Sequence, residues 1–198
     1  QSTFHVYGES SGVITEQNDI SPVNDYGLTH YFAEKYIEKH AKINGLNFCT
    51  LRLTNSYGCP RIIDTDKWYL VLNDLCKNAY EKNKIVLNSN GRGSRDFIWM
   101  GDVVNTISAV MSEEQCSNTF YNLSSGKSLS ILDIATLVKQ AYKETFSQVL
   151  PIEVNASDRT EFSELIVENK KLLDVINIKF HENILLEAKN IFELLESR

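Results

Sequence analysis

Two stretches near the start of the chain decide its fold: STFHVYG at residues 2–8 and DYGLTHYFAE at residues 25–34. The first is typical of a strand end, and the second opens an amphipathic helix that we predict over residues 26–44. Gly45 follows in the place of a left-handed helix cap, and residues 48–53 have the pattern of a short apolar strand. Strand, helix and strand in this order predict a right-handed parallel crossover within an α/β fold.

Tyr26 and His30 are the first candidates for chemistry, because residues four apart on a helix lie on the same face. A positive charge beside a phenol favours the phenolate, which can take a proton from a substrate hydroxyl or return one. Thr3, at the predicted strand end, is placed to hydrogen-bond the same substrate oxygen. The simpler alternative is that Tyr26 belongs to an ordinary amphipathic helix surface.

Further segments continue the pattern in order along the chain: LRLTNSYG at residues 51–58, GRGSRDFIWMGDVV at residues 91–104, YNLSSG at residues 121–126, and the pair Asp158 and Arg159. With these segments the chain resembles the extended short-chain dehydrogenase/reductases, in particular their NAD-dependent nucleotide-sugar epimerase/dehydratase family. The resemblance extends from Thr3 almost to the C-terminus.

The resemblance implies an α/β fold in two parts. Residues 1–57 with 96–114 correspond to the C-terminal part of a Rossmann-type doubly wound parallel sheet, and residues 58–95 with 115–198 to a smaller α/β lobe that binds a nucleotide sugar. The family's glycine-rich dinucleotide loop precedes the position of Thr3, so we expect this chain to be the C-terminal two-thirds of a longer enzyme. Gly91 and Gly93 lack the strand, loop and helix context of such a loop.

The resemblance also implies which residues form the catalytic and cofactor sites. The catalytic residues are Thr3, Tyr26 and His30. The nicotinamide of NAD or NADP is contacted by Tyr26, His30, Leu53, Thr54 and Ser56. Because most of the cofactor would be held by a preceding part of the enzyme, we expect the 198 residues alone to be inactive.

The substrate implied by the resemblance is a nucleotide-diphosphate sugar, bound by Asn55, Arg95 and Arg159. A guanidinium stays charged and meets phosphate oxygens with paired donors, so arginine suits a diphosphate clamp. For each arginine the alternative is a salt bridge to one of the chain's own acids. For Asn55 the alternative is a plain turn-forming role.

The family's shared chemistry is the oxidation of a sugar hydroxyl, after which the transient ketone is epimerised, reduced or dehydrated. Dehydratases of the family place two acids directly after the threonine, whereas this chain has Phe4 and His5 at those positions. We therefore expect a nucleotide-sugar epimerase first. Reduction of a 4-keto-sugar and dehydration are the alternatives within the same family.

His30 stands where the family has a lysine. A lysine ammonium is charged throughout the neutral range, whereas an imidazole titrates at about pH 6.5 and is mostly neutral at pH 7. The replacement leaves open a further alternative from a different class, a protein that binds a nucleotide sugar without turning it over.

Composition argues against several other classes of function. The net charge is −6 and acids outnumber bases, so a nucleic-acid-binding surface is not expected. The sequence has no run of about eighteen apolar residues, so we predict no membrane span and a cytoplasmic protein. The four cysteines lack the spacing of a zinc or redox site, so we expect reduced thiols and no metal.

The rest of the pattern predicts helices over residues 67–80, 102–111 and 131–143, strands over residues 85–87, 97–100, 119–123 and 152–154, and two helices to the end. Asp102 and Ser130 are the predicted N-caps of their helices.

Three remaining side-chain predictions concern surfaces. His40 and His181 are expected to be solvated. The helix that carries Tyr26 also carries Tyr36 and Ile37 among charged residues, which fits a homodimer through this helix. The alternative is that these apolar residues pack on the sheet.

Overall fold

The computed structural model describes residues 1–9 and 11–197 of the chain. In this part the strands are β1 (Ser2–Thr3), β2 (Gly12–Ile14), β3 (Cys49–Leu53), β4 (Asn55–Tyr57), β5 (Ile85–Leu87), β6 (Ser94–Trp99), β7 (Thr119–Leu123), β8 (Ser128–Ser130), β9 (Ile152–Val154) and β10 (Leu165–Val167). The helices are α1 (Asp25–Asn44), α2 (Val71–Lys82), α3 (Met100–Met111), α4 (Ile131–Phe146), α5 (Lys170–Leu173) and α6 (Ile184–Glu196), with 3-10 turns at Phe4–Tyr7, Lys67–Tyr69 and Glu114–Cys116.

The chain divides into two compact units. The first contains Gln1–Ser56, Asp96–Ser128 and Glu164–His181, and the second contains Tyr57–Arg95, Leu129–Ser163 and Glu182–Arg198. The predicted division differs at residues 115–128 and 164–181, which it assigns to the second unit. Strand pairing explains the difference, because β7 pairs with β3 and β10 pairs with β2, and both β3 and β2 belong to the first unit.

A parallel sheet in the order β1, β3, β7 is the frame of the first unit. Because α1 lies between β1 and β3 in the chain, the predicted parallel crossover is confirmed. α1 begins at Asp25, one residue before the predicted start, and the Asn24 side chain caps it by accepting the Gly27 N–H. The helix ends at Gly45, whose φ of 64° is that of the predicted left-handed cap.

The two faces of this sheet differ in chemistry, because successive side chains of a strand point to opposite sides. One face supplies apolar residues of β3 and β7 to a core that includes Val103 of α3. On the other face Ser2, Arg52 and Asn122 stand in register across the three strands, and all three are buried. Arg52 and Asn122 of this polar row are hydrogen-bonded to side chains of the turn Phe4–Tyr7 and of α1.

α1 meets the rest of the first unit along one narrow row of residues. Its buried residues are Gly27, Glu34 and Ala41, which recur every seven residues, or about two turns. On its outward side Phe32 and Ile43 are 60% and 67% exposed. The helix therefore has one attached side and an apolar outer surface.

The second unit contains a three-helix packing of α2, α4 and α6 beside the parallel pair β5 and β9. Ile134 of α4 and Phe192 of α6 are buried in it. α4 begins after Ser130, as predicted, and the Ser130 and Asp133 side chains bond each other's backbone N–H groups in a capping box. The predicted helix over residues 67–80 is a 3-10 turn followed by α2.

One prediction around α3 is wrong, and a second needs an addition. The N-cap of α3 is Trp99, so Asp102 lies inside the first helical turn. Its buried carboxylate accepts the His181 backbone N–H at 2.6 Å and also contacts His181 Nδ1 at 2.7 Å. His181 itself is exposed, as predicted, and its ring also contacts this buried acid. The sequence pattern also gives no sign of the short parallel pair β2 and β10.

Candidate active site

The 3-10 turn Phe4–Tyr7 forms the first wall of the candidate active site. Thr3, at the end of β1, is buried, and its Oγ1 accepts the backbone N–H of His5 at 3.3 Å, which caps the turn. Gly27 lies so near the turn that an added Cβ would stand 2.6 Å from the His5 carbonyl oxygen. Any larger residue at position 27 would push α1 away from the turn.

The rings of Phe4, His5, Tyr26 and His30 form a group that we call the ring cluster. Tyr26 stands between the two imidazoles, with ring centroids 5.7 Å from His5 and 4.6 Å from His30, both edge to face. The Phe4 ring lies 4.4 Å from that of His5. Tyr26 is 56% exposed, so a ligand can reach it. Tyr26 and His30 are thus in ring contact, and Thr3 lies at the end of β1, a strand that packs against α1.

The same turn and helix also contribute to a buried polar group that we call the arginine network: Tyr7, Glu34, Arg52 and Asn122. Arg52 donates two hydrogen bonds to the Glu34 carboxylate, at 3.0 and 2.7 Å, and one to Tyr7 Oη at 2.9 Å. Tyr7 donates to Asn122 Oδ1 at 2.7 Å. Burial raises the pKa of Tyr7, and Arg52 opposes this effect only in part. Because Glu34 belongs to α1, the network fastens this helix to β3.

Sequence analysis assigns no site role to His5 or Arg52. His5 faces Tyr26 because the 3-10 turn packs against the start of α1, and this contact between distant residues has no local signal. For Arg52 a signal exists, since an arginine inside an apolar strand pattern has to find a buried acid. Glu34, two turns after Tyr26, is that acid.

The residues at the end of β3 are held by a second buried carboxylate, that of Asp96. Thr54 Oγ1 donates to Asp96 Oδ1 at 2.6 Å, and the Asn55 amide donates to the Asp96 carbonyl at 3.0 Å. Burial raises the pKa of Asp96, while hydrogen bonds from Thr54 and Ser125 act in the opposite direction. The predicted cofactor contacts at Leu53 and Thr54 are buried, and that at Ser56 is partly exposed.

Arg95 lies in the second unit, at a cavity of about 290 Å³. The cavity is bounded by β5, the loop after it and the start of α2, and its lining includes Tyr69, Val71, Asp74, Val86, Asn88 and Ser89. Arg95 is exposed. Within residues 1–9 and 11–197 its guanidinium has no salt bridge, so the alternative role as an internal ion pair is not seen.

Arg159 lies beside the loop that lines the same cavity. The Asn90 amide donates to the carbonyl oxygens of Asp158 at 3.3 Å and Thr160 at 2.9 Å, the two neighbours of Arg159. Hydrogen bonds from Thr160 and from the Asn90 backbone N–H lower the pKa of Asp158. Asn90 directly follows Asn88 and Ser89, which line the cavity. Its contacts therefore fix the backbone of Arg159 beside the cavity loop.

Metal-ligand clusters and membrane-spanning helices are both absent from the described part of the chain. No group of three or more histidine, cysteine, aspartate or glutamate residues there is placed to hold a metal ion. No helix in residues 1–9 and 11–197 combines the length and the apolar character needed to cross a membrane.

With this geometry in hand, the chain can be compared with known proteins. A model of the NAD dependent epimerase/dehydratase family matches residues 1–124, which is more than half of the chain. The chain belongs to this family. It is 27% identical over 138 residues to the uncharacterized UDP-glucose epimerase YtcB of Bacillus subtilis, and the match covers 70% of this chain and 42% of that relative. This family member thus spans less than half the length of the curated relatives it matches first.

Solved structures agree on the fold. UDP-glucuronic acid 4-epimerase from Bacillus cereus in complex with NAD superposes with a TM-score of 0.79 at 18% identity, covering 99% of this chain and 58% of that one. RMD from Pseudomonas aeruginosa complexed with NADPH gives 0.79 at 19%, covering 100% of this chain and 65% of the other. The predicted α/β, Rossmann-type fold is therefore confirmed, and the family to which the chain belongs is NAD-dependent.

Proposed function

We propose that this protein is an NAD(P)-dependent nucleotide-sugar epimerase that works through a transient keto-sugar, with Tyr26 as its acid and base. The observation that carries the proposal is the exposed Tyr26 ring beside His30, on the helix that packs against the strand ending in Thr3. In this role the Tyr26 oxygen takes the proton of a sugar hydroxyl and later returns it. The Thr3 hydroxyl, already placed by the turn, orients the same sugar oxygen.

The donor set of this site fits a nicotinamide cofactor. His30 is only partly buried, and an imidazole can hydrogen-bond ribose hydroxyls. Leu53, Thr54 and Ser56 lie at a strand end, where ligands of parallel α/β sheets gather. Ser56 is partly exposed and can meet the nicotinamide directly, whereas Leu53 and Thr54 are buried and Thr54 Oγ1 already donates to Asp96. When bound, NAD or NADP supplies the hydride acceptor for the sugar carbon.

The substrate class that we propose is a nucleotide-diphosphate sugar. Arg95 lines the cavity and Arg159 is fixed beside its loop, so two guanidinium groups are available for the diphosphate. The exposed Tyr69 offers an aromatic face at the same cavity for the base. Asn55 is expected at the sugar or phosphate, although its amide already bonds the Asp96 carbonyl.

Epimerisation is preferred over dehydration because of Phe4 and His5. Family dehydratases carry acids at these two positions, and Phe4 is an apolar ring that is only 5% exposed. Elimination of water would then depend on His5 alone. Reduction of a 4-keto-sugar uses the same Thr3 and Tyr26 and stays as the second candidate.

The proposal extends to partners and location. α1 exposes Phe32, Tyr36 and Ile43, at 60%, 64% and 67%, and a second copy of this chain would bury them in a homodimer. Light scattering should give twice the chain mass for the protein and the single mass for Phe32→Lys. A cytoplasmic location stays a prediction from the sequence.

The test of the proposed function uses the protein as it is naturally made, supplied with NAD and a panel of UDP- and dTDP-sugars, with epimers identified by NMR. Tyr26→Phe should lower kcat by at least about 100-fold, the usual effect of losing an acid-base group. A matched control is present on the same helix, because Tyr36 and His40 form the same four-residue pair with rings 4.4 Å apart. Tyr36→Phe should leave the rate unchanged.

The contrary outcomes separate the alternatives. A Tyr26→Phe protein with the parental rate would remove Tyr26 from the chemistry. A protein that binds UDP-glucose in calorimetry yet shows no turnover, both as it stands and as His30→Lys, would instead be a nucleotide-sugar-binding protein.

A further inference from the structure

α1 carries two pairs in which a tyrosine ring contacts a histidine ring, and in only one pair does the tyrosine also contact a second histidine. Tyr26 with His30 and Tyr36 with His40 are both four residues apart, with centroid distances of 4.6 and 4.4 Å. In the described part of the chain, Tyr26 alone of these two tyrosines also contacts a second imidazole, that of His5 at 5.7 Å and 76° between ring planes. His5 therefore distinguishes this pair from an ordinary helix-surface pair.

We propose that His5 shares Tyr26 with His30 and acts through it as a second proton partner of the phenol. The inference rests on the proposed function for its catalytic meaning, but the contact itself does not depend on that function. His5 is a positioning residue in this scheme, because it acts on the substrate through Tyr26.

The backbone of His5 is held from several sides, and one further ring packs beside its imidazole. Its backbone N–H donates to Thr3 Oγ1 at 3.3 Å, and its carbonyl oxygen accepts the Gly8 N–H at 3.2 Å. The Phe4 ring backs it at 4.4 Å, and Gly27 closes against its carbonyl. An imidazole on so constrained a backbone keeps its approach to Tyr26, which a freely rotating surface histidine would lose.

The other titratable groups near the ring cluster are less suited than the imidazoles to exchange protons with Tyr26. Arg52 on β3 is bound to Glu34 at 2.7 Å, and Lys35 on α1 is bound to Glu38 at 2.9 Å. Lys39 and Lys42 also belong to α1 but lie more than three turns beyond Tyr26. Apart from these groups, Cys49 on β3 and His40 near the far end of α1, the titratable side chains of the packed elements and of the loops between the turn and α1 are acids and phenols: Tyr7, Glu9, Glu16, Asp19, Asp25, Tyr31 and Tyr36. β1, β2 and β10 contribute none.

Proton balance shows what two imidazoles can do. When the exposed phenol releases its proton to solvent and a neighbouring neutral imidazole takes one up, a phenolate and an imidazolium form together without any change in net charge. A second imidazole, if already protonated, stabilises that phenolate further, because an opposite charge nearby favours the charged form. Two titratable cations thereby take the place of one permanent ammonium, and the three groups titrate as a coupled set.

The experiment measures titration curves and needs neither cofactor nor substrate. Tyrosine Cζ and histidine Cε1 resonances are followed by NMR across pH, with assignments from Tyr26→Phe, His5→Gln, His30→Gln and His40→Gln. A permanent cation is then placed at each position by His5→Lys and His30→Lys. We expect each to lower the titration midpoint of the Tyr26 phenol by about half a pH unit or more. In the control pair, His40→Lys should lower the midpoint of Tyr36 alone.

A Tyr26 midpoint that moves with His30→Lys but not with His5→Lys would overturn the proposal, as would a midpoint that moves with neither. If His5→Lys does not fold, His5→Gln decides the matter, because removing a coupled imidazole should shift the His30 titration and leave that of His40 unchanged. An unmoved His30 titration in His5→Gln would count against the coupling. Since sugar turnover is not measured, failure here and failure of the proposed epimerase activity can be told apart.

Discussion

Tyr7 belongs to the 3-10 turn and Tyr26 to α1, and these two elements pack against each other. The two tyrosines differ in both solvent exposure and neighbouring charge. Tyr7 is 1% exposed and next to a permanent cation, Arg52, whereas Tyr26 is 56% exposed and next to two imidazoles. Burial nevertheless raises the pKa of Tyr7. A cation beside a phenol is therefore not enough for easy ionisation when water is excluded and the charge is already shared with Glu34. The buried phenol is a structural group, and the exposed one is available for chemistry.

The largest loss of stability should come from breaking the buried ion pair between Arg52 and Glu34. Glu34→Gln leaves the Arg52 guanidinium buried without its counter-ion, which costs about 3–5 kcal/mol in the free energy of unfolding. Urea unfolding followed by circular dichroism measures the loss. The double variant Glu34→Leu with Arg52→Met removes both charges and should be less destabilised than the single one. Equal losses for both would mean that the ion pair is not what α1 depends on.

A smaller effect is expected from Tyr7→Phe. The change leaves Arg52 Nη1 and Asn122 Oδ1 without their shared hydroxyl partner, a loss of about 1–3 kcal/mol. Unfolding by urea at pH 8 measures it.

Tyr7→Phe also tests how the free energy of unfolding depends on pH. Because the folded-state pKa of Tyr7 is raised, its contribution to stability is complete below the unfolded value of about 10 and is lost as pH rises through the folded one. Stability of the parent protein should thus fall more steeply than that of Tyr7→Phe between about pH 9 and pH 11. Parallel curves would contradict the assignment.

The smallest effect belongs to the exposed ion pair on the same helix. Lys35 and Glu38 lie 2.9 Å apart, with side chains 56% and 55% exposed, next in sequence to the buried Glu34. Lys35→Gln should change the free energy of unfolding by no more than about 0.5 kcal/mol, since solvent screens such pairs. Together with Glu34→Gln it compares neighbouring charges on one helix that differ mainly in burial. A loss above about 1 kcal/mol in the free energy of unfolding would contradict this and show that exposed contacts also matter for the stability of α1.

Local signals account for the parts of the fold that the sequence could predict. α1 with its Gly45 cap, the strands β5, β7 and β9, and the Ser130 cap of α4 all depend on residues within one or two turns of each other. The pair of Tyr26 and His30 is of the same kind, because four residues on a helix fix the spacing.

What the sequence could not predict depends on residues that meet only in the folded chain. β2 and β10 are three-residue strands far apart in the sequence, so neither has a pattern of its own. Asp102 is typical of a helix cap, and nothing local indicates that it binds His181, 79 residues later. His5 belongs to this class as well, since its neighbour Tyr26 is across a loop.

The seven-residue spacing of Gly27, Glu34 and Ala41 has a consequence for how α1 can turn about its own axis. These buried residues, with Tyr31 beside them, hold α1 on one side, and the two hydrogen bonds from Arg52 to Glu34 restrain rotation of the helix about its axis. Tyr26 precedes Glu34 by eight residues, so the two directions differ by about 80° around the axis. The direction of the Tyr26 side chain therefore depends in part on a buried acid two turns away, which takes no direct part in the proposed chemistry.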